Sequence, residues 1–287
     1  MVPFFQVHNL SHAYGRNTPF ETRSLTAVSL QVEREEIVGL IGPTGSGKST
    51  LLQHLCGLLR PQGGRVWVAG SDLADPEIDV RSIRQRVGMV CQLPEDQLFA
   101  RYVGDDVAFG PRNQGLERSA IRERVRSALD AVGLPFAAFK DRLTLTLSGG
   151  ERRKVAIAGV LAMSPDALLL DEPTAGLDPA GRRELLDLLK RCHAEQGMTM
   201  IVSSHNMDDL AELTSRIYVL HNGRIALEGA TRDIFAHAQP LRELGLEVPA
   251  VTQIIDTLCA AGIPLERGAL TLEEAGEAIL RLWEGTV

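Results

Sequence analysis

Nine consecutive residues, GPTGSGKST (42–50), put glycines, hydroxyls and one lysine where a phosphate group would need them. The run fits GxxxxGK[ST] and lies between an apolar run and a helical pattern. Gly42, Pro43, Thr44, Gly45, Ser46 and Gly47 form a loop whose glycines let backbone N–H groups close around phosphate oxygens at a helix N-terminus, where the helix dipole favours negative charge. Lys48 would reach the β and γ phosphates, Ser49 would hold Mg²⁺, and Thr50 completes the loop. A flexible strand-to-helix turn would also use glycines. Of the 30 basic residues, however, only Lys48, Lys140, Lys154 and Lys190 are lysines, which makes a chance match hard to sustain.

Two carboxylates follow the apolar run in DALLLDEP (166–173). Asp171 can orient Mg²⁺ through water, and Glu172 beside it can act as general base toward an attacking water. Alone, the pair would read as an acidic turn at a strand end. His205 ends MTMIVSSH (198–205) at the edge where α/β sheets bind ligands, and so can contact the γ-phosphate and the water. Gln92, which ends VGMVCQ, can ligate Mg²⁺ or position the same water. Tyr14, in HAYG, can stack on adenine, although an aromatic near an N-terminal strand also serves as core. In LSGGE (147–151), Ser148 precedes Glu151 by three residues and an apolar helix follows, which by itself is a capping box.

These groups need a scaffold, and the patterning describes one. EIVGLIG (36–42), DALLLDEP and MTMIVSSH are short buried strands between helical patterns, which predicts an α/β core. A helix over RRELLDLLKRCHAEQ should stop at Gly197. RIYVLHNGRIALEG should form a hairpin turning at Asn222-Gly223. Residues 93–164 read as a mostly helical insertion, with Ile121, Val125, Ala128 and Val132 at helical spacing. After about residue 236 the pattern changes. Pro249 falls in the first turn of a helix with Val251, Ile254, Ile255 and Leu258 on one face. A second helix opens with the capping pair Thr271 and Glu274 and carries Leu272, Ala275, Ile279 and Leu282.

Composition narrows the function further. The 287 residues are 44% hydrophobic and 23% charged, an ordinary globular balance. A net charge of -7 argues against nucleic acid as partner. Cys56, Cys91, Cys192 and Cys259 are scattered without any CxxC, as reduced thiols in a cytosolic protein would be. There is no secretory signal pattern and no apolar run near the ~18 residues of a membrane span. A membrane role must come through a partner.

Taken together, GPTGSGKST, Gln92, LSGGE, LLLDEP, AGLD (175–178) and His205 stand in the order found in ABC-type ATP-binding subunits, and the chain resembles that family over about residues 4–235. The resemblance implies a P-loop NTPase: a RecA-like α/β core with an antiparallel β part and an inserted helical subdomain. It also implies an ATP-binding domain over residues 1–235 and a C-terminal dimerisation segment over 236–287. Its cofactors would be ATP and Mg²⁺, the ion held by Ser49, Gln92 and Asp171. Ser148, Gly149 and Gly150 would grip the γ-phosphate of ATP bound to another subunit, and Asp178 would lie at the seam. The phosphate loop and the signature then belong to two composite sites, and a lone subunit should be nearly inert.

A finer resemblance is to the energy-coupling-factor importers of vitamins and transition-metal ions. TPFETRSLTAVSL, KSTLLQHLCGLLRPQGG, PEDQLF, DDVAFGPRNQG and RKVAIAGVLAM carry it. The TPFE insertion and LLQHL look most like the second of the two paralogous ATPases. Pro43, Cys91 and Ala100-Arg101 depart from the usual pattern without touching phosphate chemistry. The partners implied are a second ATP-binding subunit, a paralogue rather than an identical copy, and a transmembrane scaffold working with a substrate-binding membrane protein. The chain would sit peripherally at the cytoplasmic face of the cell membrane. An acidic seam of Glu95, Asp96, Asp105 and Asp106, with Arg101 the only base among them, should receive the scaffold's helix. The alternatives are the ATPase subunit of another ABC transporter type, or a soluble ABC ATPase acting on DNA or the ribosome. The latter usually has a long coiled-coil insertion or two cassettes, and neither is present.

Overall fold

The computed structural model describes residues 2–93 and 97–284. It opens with β1 (Phe5–Tyr14), β2 (Thr22–Val32), β3 (Ile37–Ile41), α1 (Lys48–Leu55), β4 (Gly63–Val68), β5 (Ser71–Asp72), α2 (Val80–Arg86) and β6 (Val87–Val90). A helical lobe follows: α3 (Val103–Val107), α4 (Phe109–Asn113), α5 (Arg118–Ala131), α6 (Phe136–Phe139) and α7 (Gly149–Leu161). The chain then returns to β7 (Ala167–Asp171), α8 (Pro179–Gln196), β8 (Thr199–Ser203), α9 (Met207–Leu213), β9 (Arg216–His221) and β10 (Arg224–Ala230). It ends with α10 (Thr231–Ala236), α11 (Ala238–Glu243), α12 (Ala250–Ala260) and α13 (Leu272–Glu284).

The strands form two sheets. One is antiparallel, in the order β2-β1-β4-β5. The other runs β10-β9-β3-β8-β7-β6 and is parallel except for the β9–β10 hairpin. In β3, β7 and β8 every residue is buried, as suits largely apolar parallel strands covered on both faces. The two-residue period of a strand divides their side chains between two cores. Ile37, Leu168, Leu170, Met200 and Val202 face α8, α9 and the lobe. Val38, Leu40, Leu169 and Ile201 face α1 and the antiparallel sheet. Leu51, Leu52 and Leu55 hold α1 against that second face, while Leu185, Leu186 and Leu189 hold α8 against the first. α9, which follows β8, packs on the first face as well, so the helices after the neighbouring strands β3 and β8 lie on opposite faces and open a crevice at their carboxyl ends.

Turn chemistry agrees with the sequence at two points. Asn222 and Gly223 adopt φ of 48° and 73° in the β9–β10 turn, and α8 stops at Gly197 in the left-handed region.

The C-terminal stretch divides in a place the sequence pattern did not mark. Ala238, Leu241, Leu246 and Val248 still pack into the main core. A separate small cluster begins with Val251 and Ile255 and gathers Leu265, Ala269 and Ala275. Pro249 caps α12 from outside its first turn, and Ile254 points away from the face that Val251 and Ile255 bury. Thr271 accepts the N–H of Glu274, and the Glu274 carboxylate also takes the N–H of Leu270 and pairs with Arg232. Ile254, Ile279, Leu280 and Trp283 stay exposed. No helix among the described residues is long and apolar enough to cross a membrane.

Candidate nucleotide and hydrolysis site

The loop between β3 and α1 is held in shape from behind. A side chain at Gly42 would meet the Leu220 carbonyl of β9 at 2.1 Å, and one at Gly47 would meet the Ser24 carbonyl of β2 at 2.6 Å. Both glycines have positive φ, 156° and 108°, so backbone conformation and lack of space demand the same residue. The β9–β10 turn buttresses the loop: Gly223 N–H donates to the Ser46 carbonyl at 3.0 Å, and its own carbonyl accepts from Thr26 N–H at 2.8 Å. The hairpin was legible in the sequence, but its contact with the phosphate loop was not.

Lys48, Ser49, Thr50, Gln92, Asp171, Glu172 and His205 line one cavity of about 280 Å³, together with Ser24, Thr44, Gly45 and Gly47. Lys48 is 7% exposed, and its ammonium donates to the Gly42 and Pro43 carbonyls at 2.6 and 3.1 Å. Burial lowers its pKa, while Glu172 and Asp171 act in the opposite direction. Ser49 Oγ donates to Asp171 Oδ2 at 2.6 Å, so these two oxygens converge on one point. Thr50 ties the loop to the antiparallel sheet: its Oγ1 accepts from Ser24 Oγ at 2.8 Å and lies 3.1 Å from Tyr14 Oη. The Tyr14 ring is partly exposed at the end of β1, edge-on to His12 at 4.7 Å.

Glu172 follows β7 with φ of 50°, an uncommon conformation for a residue with a side chain. Its N–H donates to the Ser203 carbonyl at the end of β8. Oε2 accepts the His205 N–H at 3.2 Å. Oε1 is buried without a hydrogen-bond partner and lies 3.5 Å from His205 Nε2. Burial raises the Glu172 pKa, and the His205 N–H and the nearby cations oppose it. A buried carboxylate with a vacant acceptor suits a base.

Ser148, Gly149, Gly150 and Asp178 do not line this cavity. Ser148 caps α7 in a complete capping box: its Oγ accepts Glu151 N–H, and the Glu151 carboxylate accepts Ser148 N–H. Asp178 caps α8 through Gly181 N–H at 3.1 Å. Both caps stand at helix N-termini whose first-turn N–H groups favour anions.

The acidic seam requires a correction. Glu95 and Asp96 lie outside the described residues. Asp105 pairs with Arg112 at 2.8 Å. Asp106 is only 7% exposed and accepts the N–H groups of Phe99 and Ala100 at 2.9 and 2.8 Å. It shapes the loop and cannot face a partner. Asp106→Ala should therefore lower stability by about 1–3 kcal/mol through two unsatisfied amides, as read from chemical denaturation. Unchanged stability would mean that those amides find other partners. Beside this loop, between the core and the lobe, lies a larger groove of about 710 Å³. Met89, Phe99, Phe109 and Met163 line it, with Arg81 and Arg84 at the rim. Phe99 and Phe109 are 66% and 48% exposed, with ring centroids 4.7 Å apart.

Sequence reading also missed Arg153, which is buried on α7, and Asp209, which is buried on α9. Asp209 receives Thr174 Oγ1 and pairs with Arg182, joining the segment after Glu172 to the segment after His205. Nothing local in RRK or MDD marks either side chain as buried.

Comparison with known proteins agrees with this geometry. The family model described as ABC transporter matches residues 25–175. The chain is 51% identical over 270 residues to the energy-coupling factor transporter ATP-binding protein EcfA2 of Symbiobacterium thermophilum, covering 94% of this chain and 93% of that one. It is 45% identical over 286 residues to EcfA1 of the same organism, covering 98% of each. The solved structure of cbiO1 from Clostridium perfringens, part of the ABC transporter complex cbiONQ, superposes with a TM-score of 0.73 at 34% identity. That match covers 89% of this chain and all of that one.

Proposed function

Since the chain belongs to the ABC transporter family, among its energy-coupling factor ATP-binding proteins, we propose that it hydrolyses ATP to energise uptake of a vitamin or transition-metal ion by a membrane complex. The observation that carries the hydrolytic reading is the convergence of Lys48, Ser49, Asp171, Glu172 and His205 on one cavity. Lys48 and the loop amides bind the phosphates, and Tyr14 lies against the base. Glu172 takes the proton of the attacking water, while His205 positions it against the γ-phosphate.

Ser49, Asp171 and Gln92 offer only hard oxygen donors, which suits Mg²⁺. Among the described residues no group of three His, Cys, Asp or Glu is arranged to hold a metal. Nucleotide oxygens and water would complete its shell, as they commonly do for Mg²⁺. Bound there, it would neutralise charge on the phosphates.

Ser148, Gly149, Gly150 and Asp178 stand away from the cavity and are free to meet a second subunit's nucleotide. The greater identity to EcfA2 than to EcfA1 of Symbiobacterium thermophilum supports a paralogue in that place. The C-terminal cluster, with Ile254, Ile279 and Trp283 exposed, supports a dimerisation role for the last part of the chain. The Phe99–Phe109 groove is the better seat for a scaffold helix than the acidic seam, because it is apolar and open.

Co-expression with a second ATP-binding subunit and a membrane scaffold tests the whole reading. The chain should fractionate with membranes and hydrolyse ATP there, while the lone chain stays near background. Phe99→Ala combined with Phe109→Ala should release it from the scaffold without weakening ATP binding. Full turnover by the lone chain would sink the composite-site reading, and normal scaffold retrieval by the double variant would move the dock elsewhere.

A further inference from the structure

Arg153 lies on the inner side of α7, two residues beyond the Glu151 of the capping box, and is 5% exposed. Its Nη1 donates to the Glu172 carbonyl at 2.8 Å and its Nη2 to the Gln92 carbonyl at 2.6 Å. These carbonyls sit on separate connections, one leaving β7 and the other leaving β6. A guanidinium is a planar fork of fixed geometry, so two carbonyls held by one fork keep a fixed separation. Glu172 is also the residue whose positive φ needs support from its surroundings. Its N–H is held by Ser203 and its carbonyl by Arg153.

The same helix presents Ser148, Gly149 and Gly150 at its N-terminus. One rigid element thus carries the groups that meet the partner's nucleotide at its end, and the clamp on this chain's own Glu172 and Gln92 along its side. We propose that Arg153 is a positioning residue that ties the seating of Glu172 and Gln92 to the orientation of α7, so that nucleotide gripped at one composite site sets the hydrolytic geometry of the other. This rests on the roles given above to Glu172 and Gln92. An ordinary lobe-to-core fastening is available for contrast: Lys154, the next residue, pairs with Glu184 of α8 at 2.6 Å near the surface.

The experiment compares Arg153→Lys, Arg153→Leu and Lys154→Ala in the complex assembled with the second ATP-binding subunit and the scaffold. Arg153→Lys keeps the cation and the stem but loses the fork, and it serves if the leucine variant fails to fold. Both Arg153 variants should lower kcat about tenfold or more, as loss of buried charge-assisted hydrogen bonds does, with KM for ATP changed far less. The ATP dependence of the wild-type complex should be cooperative, and in both variants its Hill coefficient should fall toward one. Lys154→Ala should change neither. Wild-type kcat and cooperativity in Arg153→Lys would overturn the proposal, and so would a wild-type complex without cooperativity. Glu172→Gln is measured in parallel. If it stays active, the assignment of the base fails, while the Hill coefficient still decides the role of Arg153.

Discussion

Glu172→Gln is expected to leave ATP binding intact and to lower turnover of the assembled complex about 10²-fold or more, the usual range for loss of a general base. The substitution preserves shape. The amide oxygen can still accept the His205 N–H that Oε2 now accepts at 3.2 Å. What it removes is the ability to take a proton at Oε1, the buried atom without a hydrogen-bond partner. Burial that raises the Glu172 pKa also makes its carboxylate more basic than one in water, which adds to the loss. Equilibrium ATP titration and steady-state phosphate release separate the two effects. Hydrolysis at near wild-type rate would assign the base to another group.

Lys48→Ala should act one step earlier, on binding. The ammonium is buried in the loop and donates to two of its carbonyls. Without it, the site keeps Asp171 and Glu172 and loses the cation that offsets them, so a polyanion meets net repulsion. With charged hydrogen bonds contributing about 1.5–3 kcal/mol each, ATP affinity should fall about 100-fold. Isothermal titration with the nucleotide reads this directly. An alanine variant that binds ATP as tightly as the wild type would leave the backbone amides and Mg²⁺ as the sole phosphate ligands. The two variants thus divide the site: one binds without turning over, and the other fails to bind.

The sequence by itself determined whatever depends on neighbours within a turn or a strand. The phosphate loop is legible because all its fixed positions, Gly42, Gly47, Lys48 and Ser49, fall within nine residues and its glycines answer to local conformation. The largely apolar segments that became β3, β7 and β8 announced buried strands of an α/β core, and so placed Lys48, Asp171 and His205 near strand ends. Ser148 as a cap was equally local. Only the tertiary structure decided which of two adjacent acids is buried: Asp105 meets Arg112, while Asp106 turns inward to Phe99 and Ala100. It alone decided that Arg153 holds carbonyls 19 and 61 residues away along the chain, and that the hairpin at Gly223 supports Ser46. It also parted Ile254 from Ile255, exposing the first and burying the second. Spacing along a chain encodes direction within one element. Burial depends on which other element arrives opposite, and that is settled by packing among segments remote in sequence.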